Sequence, residues 1–337
     1  MFNGKKILIT GGTGSLGQSL TKRLLKTDAH TIRIFSRNES KQVEMESKFN
    51  DTRLRFLIGD IRDNKRLVTA FEDIDIVFHA AALKHVPVIE YNPFEAIKTN
   101  VYGSQNVIDA SLSQNVEKVI CIGTDKAVSP LNTYGATKLL MEKLFVSANN
   151  SLNEERHKTN FLALRYGNVV GSSGSVIPKF IKMIRENKKI TITDSEMTRF
   201  SITMEQALDF IIDCTINGKS SEIYVPKLKA YSILDVKDAL FDLIKKTDFD
   251  VVGIRPGEKL HETLINSEEI RNSWDLENKF MISNPSKNDE EIVRSYEQNI
   301  KKIENIDEYS SKIAERHTKD ELIEIIEKSN LLNHKDD

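Results

Sequence analysis

Cysteine is scarce: the 337 residues contain two, Cys121 and Cys214. Each sits in an apolar segment, so both read as buried, reduced thiols rather than as a disulfide. Long hydrophobic runs are missing as well, and none approaches the roughly 20 residues that cross a bilayer. The opening residues, MFNGKKILIT, run directly into an apolar strand and lack a signal-peptide layout, so the expected location is cytoplasmic, with no membrane partner. Neither sign of charge dominates. Lys plus Arg number 48 against 50 Asp plus Glu, a formal charge of −2, which argues against a general nucleic-acid or membrane-surface binder. No internal repeat or low-complexity segment occurs. The length allows a good core in one large domain or two.

What is present begins with an apolar run, KILIT, followed at once by GGTGSLG. Gly12, Gly14 and Gly17 keep the G-x-G-x-x-G spacing, and the stretch after them repeats leucine at helical intervals. Strand, glycine turn and helix together form the dinucleotide fingerprint. Its glycines let the backbone approach a pyrophosphate, and its helix N-terminus offers free N–H groups. Gly11, Thr13, Gly14, Ser15, Leu16 and Gly17 are therefore expected at a cofactor. The second predicted strand, 30–35, ends at Ser36-Arg37-Asn38, with Lys41 soon after. An Arg where an acidic ribose reader usually stands suits a 2′-phosphate, which favours NADP over NAD; the alternative is a solvated Arg on a βα loop. Asp60 and Ile61, after the third strand, are placed at the adenine edge. Ala80, Ala81 and Ala82, after the fourth, are small enough for a ligand to pass close. No metal is called for.

Further strands are predicted over 54–58, 74–79, 116–122 and 161–166, each separated by a helical stretch. This alternation predicts an α/β fold with a Rossmann-type doubly wound parallel sheet. Residues 1–166 read as the cofactor domain, 167–288 as a smaller, mainly substrate-binding part, and 289–337 as a charged tail with one amphipathic helix over 321–332. Residues 120–138 carry the chemistry. Thr124, Asp125 and Lys126 stand at a strand's carboxyl end, where ligands bind in open α/β sheets. Tyr134 and Lys138, four apart, share a helix face. Asn100 reads as structural, bonding a backbone irregularity. Lys84 follows the alanine crevice, whereas His85 and Glu90 read as a surface loop. Asn168, Val176, Arg199, Arg255 and Glu258 are candidates for holding a substrate. Arg255 and Glu258 lie on a rigid R-P-G-E-K turn, where a guanidinium suits phosphate and a carboxylate suits ribose hydroxyls. Arg165 is a third arginine of interest.

The Tyr134-x-x-x-Lys138 pair and the GGTGSLG loop resemble extended short-chain dehydrogenases/reductases acting on sugar nucleotides. TDKA (124–127), KHVP (84–87), RYGNVVGS (165–172), TDSEMTRF (193–200) and RPGEK (255–259) narrow this to a resemblance to the inverting UDP-N-acetylglucosamine 4,6-dehydratases of pseudaminic acid synthesis, over about residues 3–270. Ser173 departs from the family's GSRGSV pattern, removing an Arg that would help grip a diphosphate. The resemblance implies transient oxidation at C4 by bound NADP, loss of the C5 proton and the C6 hydroxyl, and return of hydride to C6. Tyr134 would take the C4 hydroxyl proton. A phenol of pKa about 10 would need roughly three units of lowering, for which Lys138 and the nicotinamide supply positive charge. Lys138 would also hold the ribose and Thr124 the C4 oxygen. Asp125 would be the acid for the C6 hydroxyl, and Lys126 would handle the C5 proton. The implied substrate is UDP-N-acetylglucosamine or a close UDP-hexosamine, and the implied assembly is a homo-oligomer, dimer or hexamer. A retaining dehydratase, a 4-epimerase and a non-catalytic NADP sensor are the rival readings.

Overall fold

A computed structural model describes residues 1–150, 152, 157–172, 175–297, 300–329 and 331–332. Ser173 lies outside the described residues. Among these, ten strands join in one sheet. Six of them run parallel in the order 3-2-1-4-5-6: β1 (Lys6–Thr10), β2 (Thr31–Ser36), β3 (Leu54–Ile58), β4 (Ile76–His79), β5 (Lys118–Ile122) and β6 (Asn160–Leu164). This is the doubly wound order, with its switch point between β1 and β4. Helices α1 (Ser15–Leu24), α2 (Glu39–Phe49) and α3 (Asn64–Phe71) connect the first four strands.

The strands are apolar at successive residues because both sheet faces are covered. Ile7 and Ile9 of β1 enter one core cluster and Leu8 the other. On β5, Ile120 and Ile122 face the first cluster, while Val119 and Cys121 face the second. This is the two-residue alternation of a strand, and each such burial contributes about 1.5–3 kcal/mol. Cys121 and Cys214 are buried and free.

Beyond β6 the sheet gains Ile223–Pro226 in parallel, then Lys279–Ile282, Ser273–Asp275 and Lys301–Lys302 in antiparallel. The segment 167–288 thus feeds both the sheet and a smaller part. There the helix Val176–Arg185 buries Ile177, Phe180, Ile181 and Ile184, one helical stripe, against Ile190, Ile192, Val236 and Leu240. The tail helix spans Lys319–Lys328, started by a Thr318 capping box, and lays Leu322 and Ile326 on that third cluster. The charged tail also holds the helix Asp289–Ser295 and the short strands Lys301–Lys302 and Tyr309–Ser310.

β6 stops at Leu164, two residues short of expectation. Arg165 turns inward there and is fully buried. It donates to Glu142 (2.5 and 2.6 Å) and to Glu269 (2.6 and 2.8 Å). A second buried network ties the ends of β1 and β4. Ser104 Oγ donates to the Asn100 carbonyl (2.7 Å), so His79 Nε2 donates to Ser104 (2.9 Å) and Nδ1 accepts from Thr10 (2.8 Å). Burial, with the Lys138 charge adding to it, pushes His79 down to about 3, so the ring is neutral. Asn100 sits in a π-helical segment, Ile97–Tyr102, and its amide pairs with both backbone groups of Leu83 (2.8 and 3.0 Å). Its structural role in the crevice wall is that pairing.

Candidate active site

The glycine turn after β1 is a cradle that side chains would fill. Gly11 has φ +67°, and a Cβ on it would lie 2.8 Å from Ala81 Cα. Helix α1 then begins at Ser15 from Gly14 with no side-chain cap, leaving its first N–H groups to a ligand. Thr13 is buried in the turn, and Ala80 and Ala82 line the facing loop, partly exposed. At the end of β2, Gln42 donates to Ser36 Oγ (3.0 Å), and Arg37 stands half exposed, 3.9 Å from Asp60. Burial works to raise the Asp60 carboxyl, but Arg62 at 2.7 Å and Arg37 outweigh it and hold it below the ordinary range. Lys41 is exposed on α2. The Ile61 side chain is buried in the core and packs on Gly103.

Downstream of β5, Thr124 starts a single 3₁₀ turn, Asp125–Ala127. The helix Thr133–Ser147 then opens under an Asn132 cap, whose side chain accepts from Gly135 N–H (2.8 Å). Glu90, expected on a surface loop, accepts from Thr133 N–H (2.6 Å) and so steadies the same helix start. Asn132 also donates to the Gly257 carbonyl (2.9 Å), docking the R-P-G-E-K turn on this helix. Tyr134 and Lys138 are thereby set beside the 3₁₀ turn.

Lys126 Nζ donates to both Asp125 oxygens (2.9 and 3.0 Å) and to Asn168 Oδ1 (2.8 Å), and lies 3.3 Å from Glu262. Thr124 Oγ1 donates to Asp125 Oδ1 (2.9 Å). Burial acts against the Lys126 charge, but Asp125 and Glu262 overcome it and hold the amine above the ordinary lysine range. Burial also raises the Asp125 carboxyl, against the pull of Lys126. Tyr134 is pushed up to about 12 by burial, and the strongest opposing pull is Lys126, joined by a hydrogen bond with Thr124. The lysine expected to lower Tyr134, Lys138, instead donates to the Ile122 carbonyl (2.8 Å), and burial brings it down to about 8.

Of the expected substrate residues, three join this centre. Asn168 grips Lys126, Arg199 lies 3.5 Å from Glu262, and Glu258 lies 3.7 Å from Arg199. Lys84 and Arg255 are exposed. Val176 begins its helix without a side-chain cap, and the preceding Ser175 Oγ is buried with no partner among the described residues. Sequence reasoning missed Glu262 and Asn132. Glu262 follows the R-P-G-E-K turn with no spacing motif of its own, so only the fold reveals its place.

A glycine cradle at the switch point, with a tyrosine and a lysine one helical turn apart beyond β5, is the arrangement of an extended short-chain dehydrogenase/reductase. Over residues 7–284 the sequence matches the family described as polysaccharide biosynthesis protein, and the chain belongs to that family. It is 49% identical over 285 residues to a UDP-N-acetylglucosamine 4,6-dehydratase (inverting) of Campylobacter jejuni, covering 84% of each chain. It is 41% identical to a UDP-glucose 4-epimerase of Rickettsia bellii, over 97% of this chain and 96% of that one. Among solved structures, Pen from Bacillus thuringiensis superposes with a TM-score of 0.89 at 39% identity, over 98% of this chain and 100% of that one.

Proposed function

We propose that this chain is a UDP-N-acetylglucosamine 4,6-dehydratase that inverts C5, giving UDP-2-acetamido-2,6-dideoxy-β-L-arabino-hexos-4-ulose. The observation that carries it is the Asp125–Lys126 pair, 2.9 Å apart beside Tyr134. A tyrosine and lysine alone serve any hydride transfer. An adjoining acid and amine add the means to eliminate water. The likeness to the Campylobacter enzyme supports the same reading.

The glycine cradle, the uncapped start of α1 and the exposed Arg37 fit a dinucleotide bearing a 2′-phosphate, so NADP is the proposed cofactor. Bound there, NADP would accept hydride from C4 and return it to C6. Tyr134 takes the C4 hydroxyl proton as the phenolate, a form that the Lys126 charge and the cationic nicotinamide of bound NADP would favour against burial. Thr124, its hydroxyl turned away from Asp125, donates to the oxygen left behind. A ketone at C4 acidifies C5. The Lys126 amine then receives the C5 proton while Asp125 protonates the departing C6 hydroxyl. Lys138 orients the ribose of the cofactor. The uncapped helix start at Val176, with Ser175 Oγ beside it, offers donors to a diphosphate, and Arg199 and Glu258 border the sugar.

Incubation with UDP-N-acetylglucosamine in D₂O, read by NMR, tests the reading. The expected product carries deuterium at C5 in the L-arabino configuration. A D-xylo ketosugar without the L-arabino form would overturn the inversion. Formation of the 4-epimer alone would favour the epimerase reading that the Rickettsia likeness supports.

A further inference from the structure

One carboxylate oxygen, Glu262 Oε1, reaches two cations of the site: Lys126 Nζ at 3.3 Å and Arg199 Nε at 3.5 Å. Glu262 is buried, and its backbone is clamped from both sides by the tail. Its N–H donates to Ser311 Oγ (2.9 Å), and its carbonyl accepts from Ser311 N–H (2.7 Å). Its second carboxylate oxygen has no hydrogen-bond partner among the described residues. The carboxylate is therefore held in place by the fold rather than by saturation of its own bonds.

With Asp125 and Glu262 ionised and Lys126 and Arg199 protonated, the four charges cancel. Moving one proton from Lys126 to Asp125 gives a neutral amine beside a carboxylic acid. That is the pair elimination needs: the amine takes the C5 proton, the C5 electron pair forms the C5–C6 double bond, and the C6–O bond breaks as Asp125 protonates the hydroxyl into water. Elimination leaves an ammonium and a carboxylate, and the ammonium can then return a proton to C5. The fixed negative charge of Glu262 favours this second arrangement, since an anion within about 4–6 Å raises an amine's affinity for its proton by about 1–3 pH units.

We infer that Glu262 is a positioning residue that keeps the shared proton of the Asp125–Lys126 pair on the amine and aligns that amine with Arg199. The inference rests on the dehydratase reading for what the amine does, and on geometry alone for how its proton is held. The groups facing Lys126 are Asp125 on its own turn, Tyr134 on the helix, Asn168 and Arg199 on neighbouring strands, Tyr231, Lys259 and Glu262. Glu262 and Asp125 are the anions among them.

The test is lysine side-chain NMR of isotope-labelled protein, with the Lys126 signal assigned by its loss in K126R. In the parent the amine stays protonated through the ordinary lysine range, about 10.4. In E262Q its titration falls by about 1–3 pH units, and E262D, which keeps the charge but shortens the reach, gives an intermediate fall. An unmoved titration in E262Q overturns the inference; if E262Q does not fold, an unmoved titration in E262D does so. In turnover, the alkaline limb of kcat moves to lower pH in E262Q, whereas a purely structural role would lower kcat equally at every pH. Should the parent make no ketosugar, the dehydratase reading fails while the titration still decides the inference.

Discussion

Gly135 packs against the backbone of Lys126, so closely that a Cβ on the glycine would fall inside van der Waals distance of the Lys126 carbonyl oxygen. That contact seats the tyrosine-bearing helix on the Asp125–Lys126 turn. Gly135→Ala should push the two apart. Overpacking of this kind costs about 1–3 kcal/mol, and the expected result is a lower melting temperature with a larger proportional loss of turnover. Thermal melts and product formation measured side by side check it. Full turnover in the variant would show that the approach is not needed.

Replacing Tyr134 with Phe removes the phenolic oxygen and little else. Turnover should fall by about 10²–10⁴-fold, the usual contribution of a positioned acid or base, with the melting temperature near that of the parent. Steady-state assays on UDP-N-acetylglucosamine provide the measurement.

Arg37 is half exposed, and its nearest anion among the described residues is Asp60 at 3.9 Å, so its guanidinium is not consumed there by a tight ion pair. Arg37→Ala should weaken NADP binding by roughly tenfold, about 1.4 kcal/mol, and leave NAD binding unchanged. Calorimetry with both dinucleotides tests this, and equal losses for the two would assign Arg37 to something other than the 2′-phosphate.

Burial lowers Lys138 from 10.5 to about 8. The unfolded chain therefore binds more protons than the folded one between those values, and stability rises with pH across that window. The charged amine costs the fold about 3 kcal/mol at pH 7, relieved as the pH climbs from about 8 towards 10.5. Lys138→Met should flatten that rise. Urea unfolding of parent and variant at several alkaline pH values, without added nucleotide, measures the difference.

Arg165 joins the end of β6 to Glu142 on the helix Thr133–Ser147 and to Glu269. Arg165→Met leaves Glu142 buried without its cation, an arrangement that costs about 3–5 kcal/mol. Chemical denaturation should show that loss, and adding Glu142→Gln to the variant should recover part of it.

Much of the cofactor half is legible in the chain because its signals are local. Apolar runs mark β1 to β5, with glycine closing β1, β3 and β5, and the T-D-K and Y-x-x-x-K groups lie within one loop and one helical turn. Glu262 was not legible, because its meaning depends on Lys126, far away in sequence, and on Ser311 from the tail. Arg165 shows a second kind of limit. Its strand pattern continues through Tyr166, but a buried ion pair ends the strand early. The strands Lys301–Lys302 and Tyr309–Ser310 are too short and too polar to carry any periodicity.

The tail helix that lays Leu322 and Ile326 on the third core bears on how the protein is made. A ribosome releases the sheet strands β1 to β6 first, so that half can collapse while synthesis continues. The clamp on Glu262 and the cover on the third core both come from residues beyond 309. The surroundings of Glu262 and the third core therefore complete only after Ser311, Leu322 and Ile326 emerge, and a nascent chain that pauses before them holds a formed glycine cradle beside an unfinished candidate site.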